Sequence, residues 1–334
     1  MRVLFASLAS VGHTYPLIPL AVAARGAGHE VWFAAGEGVH APLAANGLRP
    51  FRPADSFYEI YAEDLEADLA RLRPDLVVHE WGLPGAAVAA ARAGIPGIWH
   101  GFGRMIPEGI GLELPTRNVE VPGRPHLDIC PPSLQDKDFV AGEDRVVLRP
   151  VPYSTPGVMP SRSSSRPLIY LTLGTAFGTA ELLTTAIEGL AELDAEIVVA
   201  TGRVLPEELG EVPGNVTVRM WVPQADLLPH ADVVVHHGGS GTTLGALGVG
   251  APQLFLPQGA DQFANADAVS AAGAGLCLRS DERSAEAITE QARKLLRDNG
   301  YRDAARGIAE EIARMPSPDE VARRLPEYTG RGMS

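Results

Sequence analysis

The chain has 334 residues, room for two domains that each bury a core. Its composition, 46% hydrophobic and 21% charged, is that of a soluble globular protein, and a net charge of −13 argues against nucleic acid or an acidic membrane as partner, since their phosphates reward Lys and Arg. The two cysteines, Cys130 and Cys277, lie far apart without metal-ligand spacing, so neither a disulfide framework nor a zinc site is indicated.

The first residues, Met1 to Leu8, are apolar but few, and Gly12 and His13 soon interrupt the run. They predict a strand over 3–8 rather than a signal peptide. No run approaches the ~18 apolar residues of a membrane span, so no stable membrane insertion and a cytoplasmic location are expected. An apolar helix over about 17–28, closed by Gly26 and Gly28, leads to a strand over 31–35. Strands over 75–79 and 95–100 flank a helix over 85–93. Between 107 and 149 scattered prolines destroy the periodicity, which predicts loops and short elements covering a site. The Pro- and Ser-rich stretch 150–167 is the strongest linker signal in the chain.

The alternation then restarts. Strands are predicted over 168–173, 196–200, 216–220, 233–236 and 253–256, with helices over 180–190 and near Leu227. Amphipathic helices follow over 285–297 and 301–314, and Pro316-Ser317-Pro318 resets the chain for a last helix to about Leu325. This pattern predicts an α/β protein of two Rossmann-like domains with mainly parallel sheets facing a central cleft. The expected boundaries are 1–150, a linker at 151–167, and 168–315, with the helix at about 316–330 packing back on the first domain. Ligands are expected at the carboxyl ends of the strands.

The most informative stretch is His236-His237-Gly238-Gly239-Ser240-Gly241-Thr242-Thr243, between the apolar run 231–235 and a helix-like one at 244–248. A buried strand that ends in a Gly/Ser/Thr turn and opens a helix aims unpaired N–H groups and a positive dipole end at one spot, which suits a phosphate. The glycines let the backbone come close, the hydroxyls add donors, and both histidines can present imidazole N–H groups. The third glycine of the dinucleotide fingerprint and the Walker lysine are both missing, which weakens hydride-transfer and NTP-hydrolysis readings.

The chain resembles family 1 glycosyltransferases of the GT-B fold, in particular the actinomycete antibiotic glycosyltransferases of the calicheamicin type. The motifs that carry this likeness are Gly12-His13-Thr14-Tyr15-Pro16-Leu17, Thr172-Leu173-Gly174-Thr175, Trp221-Val222-Pro223-Gln224, the turn at 236–243, and Pro257-Gln258-Gly259-Ala260-Asp261-Gln262. The resemblance implies an acceptor-binding first domain and a donor-binding second one. It implies that Trp221 and Val222 line a base pocket, although an indole there could equally be core. It places the diphosphate on His237, Gly239, Ser240, Gly241 and Thr242, with Thr175 reaching it from the neighbouring strand end. It assigns Asp261 and Gln262 to the hydroxyls of the donor sugar.

It also implies that His13 takes the acceptor proton, a role for which imidazole chemistry near neutral pH is suited. Glu80, in Val78-His79-Glu80-Trp81, stands where the family usually has an aspartate partner, one methylene longer. His79 and His100 end strands and read as core or pocket wall. Asp136-Lys137-Asp138 has the spacing of a metal-binding DxD motif but follows no clear strand, and reads as solvated charge. The segments near 53–64 and 103–114 are abbreviated relative to the family, being either short here or partly omitted.

The expected activity is inverting, metal-independent transfer of a deoxysugar from a dTDP- or UDP-sugar to a hydroxyl of a hydrophobic natural product, such as an enediyne or other antibiotic aglycone. The alternatives are a GT-B sugar-nucleotide epimerase, a lipid-acceptor glycosyltransferase, and a non-catalytic auxiliary partner of a glycosyltransferase. No cofactor is implied beyond the nucleotide-sugar co-substrate. The implied partners are that donor and a hydrophobic small-molecule acceptor, with a homodimer left open.

Overall fold

A computed structural model of the chain describes residues 1–54, 56–105, 125–142, 144–161 and 165–330. The chain divides into two compact units, Met1–Tyr153 with Arg314–Ser334, and Ser154–Ala313. Among the described residues no helix is long and apolar enough to cross a membrane.

The first unit is built on strands β1 (Arg2–Ala6), β2 (Glu30–Ala34), β3 (Arg49–Phe51), β4 (Leu76–Glu80), β5 (Gly97–His100), β6 (His126–Asp128) and β7 (Arg145–Val147). They lie in the order β3-β2-β1-β4-β5-β6-β7, every neighbouring pair parallel. Helices on both faces bury the central strands completely, which is why β4 reads as an unbroken apolar run up to His79 and Glu80. Helix Pro84–Arg92 starts on a proline and packs with Ala86, Ala87, Ala89 and Ala90 buried, and helix Ala62–Leu72 buries Leu65, Leu69 and Leu72.

Strands β6 and β7 are short elements of the kind expected in that region, and they extend the sheet by two strands. Each is three residues long, too short for an alternating pattern to register. A buried polar knot holds them. Asp128, fully buried, accepts from Arg145 Nε at 2.6 Å on Oδ2, and from the Cys130 N–H and Gln135 Nε2, both at 2.9 Å, on Oδ1. Part of the expected loop region, 106–124, lies outside the described residues, as does most of the stretch 103–114. Of the stretch 53–64, Phe57, Tyr58 and Tyr61 are exposed.

The carboxy-terminal helix, Pro318–Arg324, returns to this unit. A Ser317–Glu320 capping box starts it, and Val321, Ala322 and Leu325 are fully buried. His29 Nε2 lies 3.2 Å from the Ala322 carbonyl, and the Arg149 N–H donates to the Pro316 carbonyl at 2.8 Å.

The second unit is built on β8 (Leu168–Thr172), β9 (Glu196–Ala200), β10 (Val216–Arg219), β11 (Val233–His236), β12 (Gln253–Phe255) and β13 (Gly275–Cys277), in the order β10-β9-β8-β11-β12-β13, again all parallel. Helices Ala180–Ala191 and Ala285–Arg297, capped by the Thr179 and Ser284 side chains, cover one face.

In both sheets the strand order reverses beside the first strand, between β1 and β4 and between β8 and β11. A doubly wound sheet leaves a crevice at that switch point, because the connections on its two sides leave in opposite directions. Each half of the predicted site sits at one of these points.

Candidate active site

In the first unit the chain leaves β1 through Ser7 to Ser10 into a four-residue helix, Val11–Thr14. Thr14 Oγ1 donates to the Leu8 carbonyl at 2.9 Å and meets Ser7 Oγ at 2.8 Å, which pins the helix onto the strand end and sets His13 over the β1/β4 point. His13 Nδ1 lies 3.1 Å from Glu80 Oε1, with 26% of the His13 side chain exposed and none of Glu80. The Nδ1–H does not point along this line, so the contact is an ion pair in waiting rather than an aligned hydrogen bond.

The longer glutamate thus does reach His13. Its Oε1 also accepts from the Gly82 N–H at 2.6 Å, while Oε2 has no hydrogen-bond partner among the described residues. A Cβ at position 82 would stand 2.8 Å from Oε1, so only glycine lets the carboxylate fold back on the chain. A buried carboxylate with half its acceptor capacity unused favours a positive charge next to it, and His13 is placed to develop one. Phe102 packs edge-on against the His13 ring, centroids 4.8 Å apart, and Trp81 lies 5.9 Å from Phe102. His79 packs against Trp99, and His100 Nδ1 sits 2.6 Å from the Gly101 carbonyl; both are core residues.

In the second unit β11 ends at His236, Gly238 takes a positive φ of 98°, and Gly239 caps the helix Ser240–Gly248. The backbone N–H groups of Gly239, Ser240, Gly241 and Thr242 have no protein partner among the described residues, as the first turn of a helix requires. His237 is half-buried, its ring in a slot between two glycines. A Cβ on Gly174 would lie 2.6 Å from Nε2, and one on Gly239 2.5 Å from it. Burial lowers the His237 pKa to about 4, against the opposing pull of the Asp261 carboxylate and a Thr172 backbone contact.

His236 departs from the sequence reading of paired imidazole donors. It is fully buried, accepts from the Gly238 N–H on Nδ1 at 3.1 Å, and so donates from Nε2 to Gln253 Oε1 at 2.7 Å. Its N–H is spent inside the core, fixing the turn.

The hydroxyls are also engaged. Ser240 Oγ donates to Asp261 Oδ2 at 2.7 Å, Thr242 Oγ1 to Gln224 Oε1 at 3.2 Å, and Thr243 Oγ1 to the Gly239 carbonyl at 3.0 Å. Thr175 is exposed just beyond β8, beside the turn at the same switch point. Trp221 is 40% exposed while Val222 is buried at 2%, so of the two the indole is the one that offers a face. Gln262 is buried, and its Oε1 holds the turn before it by accepting from the N–H groups of Gln258 and Gly259, at 2.7 and 3.2 Å. The predicted donor residues therefore converge on one end of this sheet.

Sequence reasoning missed Gln253 and Asn265, and the contact of Gln224 with Thr242; all three residues hold the turn from outside it. Asp136, suspected of a DxD role, is the cap of helix Lys137–Ala141, accepting from the N–H groups of Asp138 and Phe139. A groove lined by Met159, Leu168, Asn215, Thr217 and His230 lies at the opposite ends of β8 to β10 and shares no residue with the site.

The family model for the C-terminal domain of erythromycin biosynthesis protein CIII-like proteins matches residues 184–328. The L-demethylnoviosyl transferase of Streptomyces niveus is 33% identical to this chain, covering 97% of each. The chain belongs to the antibiotic glycosyltransferase family. The glycosyltransferase is also similar to the crystal structure of SnogD from Streptomyces nogalater, with a TM-score of 0.84, 30% identity and 99% of each chain covered. It is similar in fold to VinC, whose structure is a complex with dTDP, with a TM-score of 0.85, 24% identity, and 99% and 100% of the chains covered. Its architecture is the GT-B fold. The alignment with the Streptomyces niveus relative runs over 374 positions, more than the 334 residues of the glycosyltransferase, so that relative carries segments this enzyme lacks.

Four histidines whose protonation burial disfavours are expected to make the glycosyltransferase acid-sensitive. Burial lowers the pKa of His100 and His237 to about 4 and those of His126 and His236 to about 3. Between the unfolded value of about 6.5 and those values the unfolded chain binds protons that the folded one refuses, so their contribution to stability is whole above pH 6.5 and lost as pH falls. Each histidine costs about 1.4 kcal/mol per pH unit, and with two of them in each unit, both units are expected to weaken with similar steepness. Calorimetric melts from pH 7.5 to 5 check this; a transition that stays flat across that range contradicts it.

Proposed function

We propose that this glycosyltransferase moves a deoxysugar from a dTDP-linked donor to a hydroxyl of a hydrophobic antibiotic aglycone, with inversion at the anomeric carbon. The observation that carries the reading is the buried Glu80 carboxylate 3.1 Å from His13 Nδ1. The nearby Glu80 carboxylate favours a proton on Nδ1, which leaves Nε2 as the base. His13 takes the acceptor O–H proton, the oxygen bonds to the anomeric carbon, and the bond from that carbon to the diphosphate oxygen breaks on the opposite face. Glu80 then stabilises the imidazolium.

The leaving dTDP collects negative charge on its diphosphate. The four unpartnered N–H groups at 239–242, the helix dipole and His237 answer that charge without calling on a metal ion. Thr175 adds a hydroxyl from the adjacent strand end, Trp221 offers the base a face while Val222, next to it in sequence, stays buried, and Asp261 and Gln262 take the sugar. The dTDP bound in the fold relative VinC, and the sugar named in the L-demethylnoviosyl transferase, support this donor class. An enediyne is one aglycone of the proposed kind, and residues 1–153 supply the acceptor half.

Titration calorimetry with dTDP, UDP and ADP tests the reading. Saturable one-to-one binding of dTDP in preference to the other two is expected, followed by a mass shift of the aglycone on incubation with dTDP-deoxysugars. A protein that ignores all three nucleotides would sink it.

A further inference from the structure

Beyond the residues already given roles, one side chain joins the two ends of the donor region. Asn265 sits in the first turn of helix Gln262–Ala271 and is 5% exposed. Its Nδ2 lies within hydrogen-bond distance of three acceptors: the Gly238 carbonyl at 2.9 Å, Asp261 Oδ2 at 3.0 Å and Ser240 Oγ at 3.1 Å. Ser240 Oγ in turn donates to the same Asp261 Oδ2 at 2.7 Å. One buried amide thus meets the backbone of the turn, the first residue of its helix and the carboxylate that follows β12.

The arrangement has an electrostatic purpose. Asp261 is an anion beside a helix start that suits a diphosphate, so left loose it would compete for the same N–H groups. Two donors instead converge on Oδ2, and Oδ1 has no protein partner among the described residues. The carboxylate is turned so that one oxygen is consumed by the protein and the other is left for a hydroxyl. The Gly238 contact fixes this orientation relative to the turn.

We propose that Asn265 is a positioning residue for donor-sugar recognition: it aims the free oxygen of Asp261 at a sugar hydroxyl while keeping that charge off the diphosphate site. The proposal rests on the donor-binding reading above. It predicts that the loss at Asn265 falls on the sugar and passes through Asp261.

The test compares dTDP with dTDP-glucose, a probe with a hydroxyl at every free ring position, by titration calorimetry on the full chain. Asn265→Ala is expected to weaken dTDP-glucose at least about 10-fold, the loss of a hydrogen bond to a charged group, and dTDP less than about 3-fold. In an Asp261→Ala background the same substitution should add less than about 2-fold to the dTDP-glucose loss. Equal weakening of both ligands, or losses that multiply in the double variant, makes Asn265 a mere structural brace and overturns the proposal. Wild-type protein that binds neither ligand overturns the donor reading itself, a different result from the first. Should Asn265→Ala fail to fold, Asn265→Ser, which keeps a short donor, reads the same pair of affinities against the same two outcomes.

Discussion

His13→Ala is expected to lower kcat by about 100-fold or more while leaving dTDP affinity within about 2-fold of wild type. The split follows from where the residue sits. His13 belongs to the first unit, on the short helix after β1, and the residues proposed to bind the nucleotide all belong to the second. Removing the imidazole removes the proton acceptor and leaves every donor contact in place. Glu80→Gln keeps the shape of the partner and its oxygen near Nδ1 but withdraws the charge that stabilises imidazolium, so its kcat should fall between wild type and His13→Ala. Steady-state kinetics with dTDP-sugar and aglycone, beside dTDP titrations, separates the two effects. A His13→Ala enzyme with undiminished kcat would remove the base from the mechanism.

The second large effect concerns the slot that holds His237. His237→Ala should weaken dTDP by about 10- to 100-fold, the range for a lost hydrogen bond to a charged group. Gly239→Ala is expected to act nearly as strongly without touching the histidine. Gly239 has φ −61°, which alanine tolerates, yet its new Cβ would lie 2.5 Å from His237 Nε2 and 3.0 Å from Cε1. The ring is hemmed by Gly174 on its other side, so it has to leave the slot. Because both substitutions remove the same contact, the double variant should bind dTDP no worse than the weaker single one by more than about 3-fold. Unchanged affinity in Gly239→Ala would show that the nucleotide does not use this imidazole.

What could be read from the sequence followed pattern length. Strands β8, β9 and β11 are continuous apolar runs and were placed within a residue, whereas β6, β7 and β13 are three residues each and carry no period. The Gly/Ser/Thr turn announced itself through composition. The tautomer of His236 did not, because Gln253, which fixes it, lies on the next strand and is joined to it only by folding. Asn265 was hidden for the same reason: its partner Gly238 is 27 positions away in sequence. Glu80 was legible as a position but not as a contact, since its reach depends on the fold back over Gly82.

The return of the chain end to the first unit sets an order of assembly during synthesis. Val321 and Ala322, on the helix that packs against Ile18–Gly26, leave the ribosome only after the whole of Ser154–Ala313 has emerged. The second unit can therefore close its core while the amino-terminal one still shows an uncovered apolar helix face, so the half that is translated first is the last to be completed.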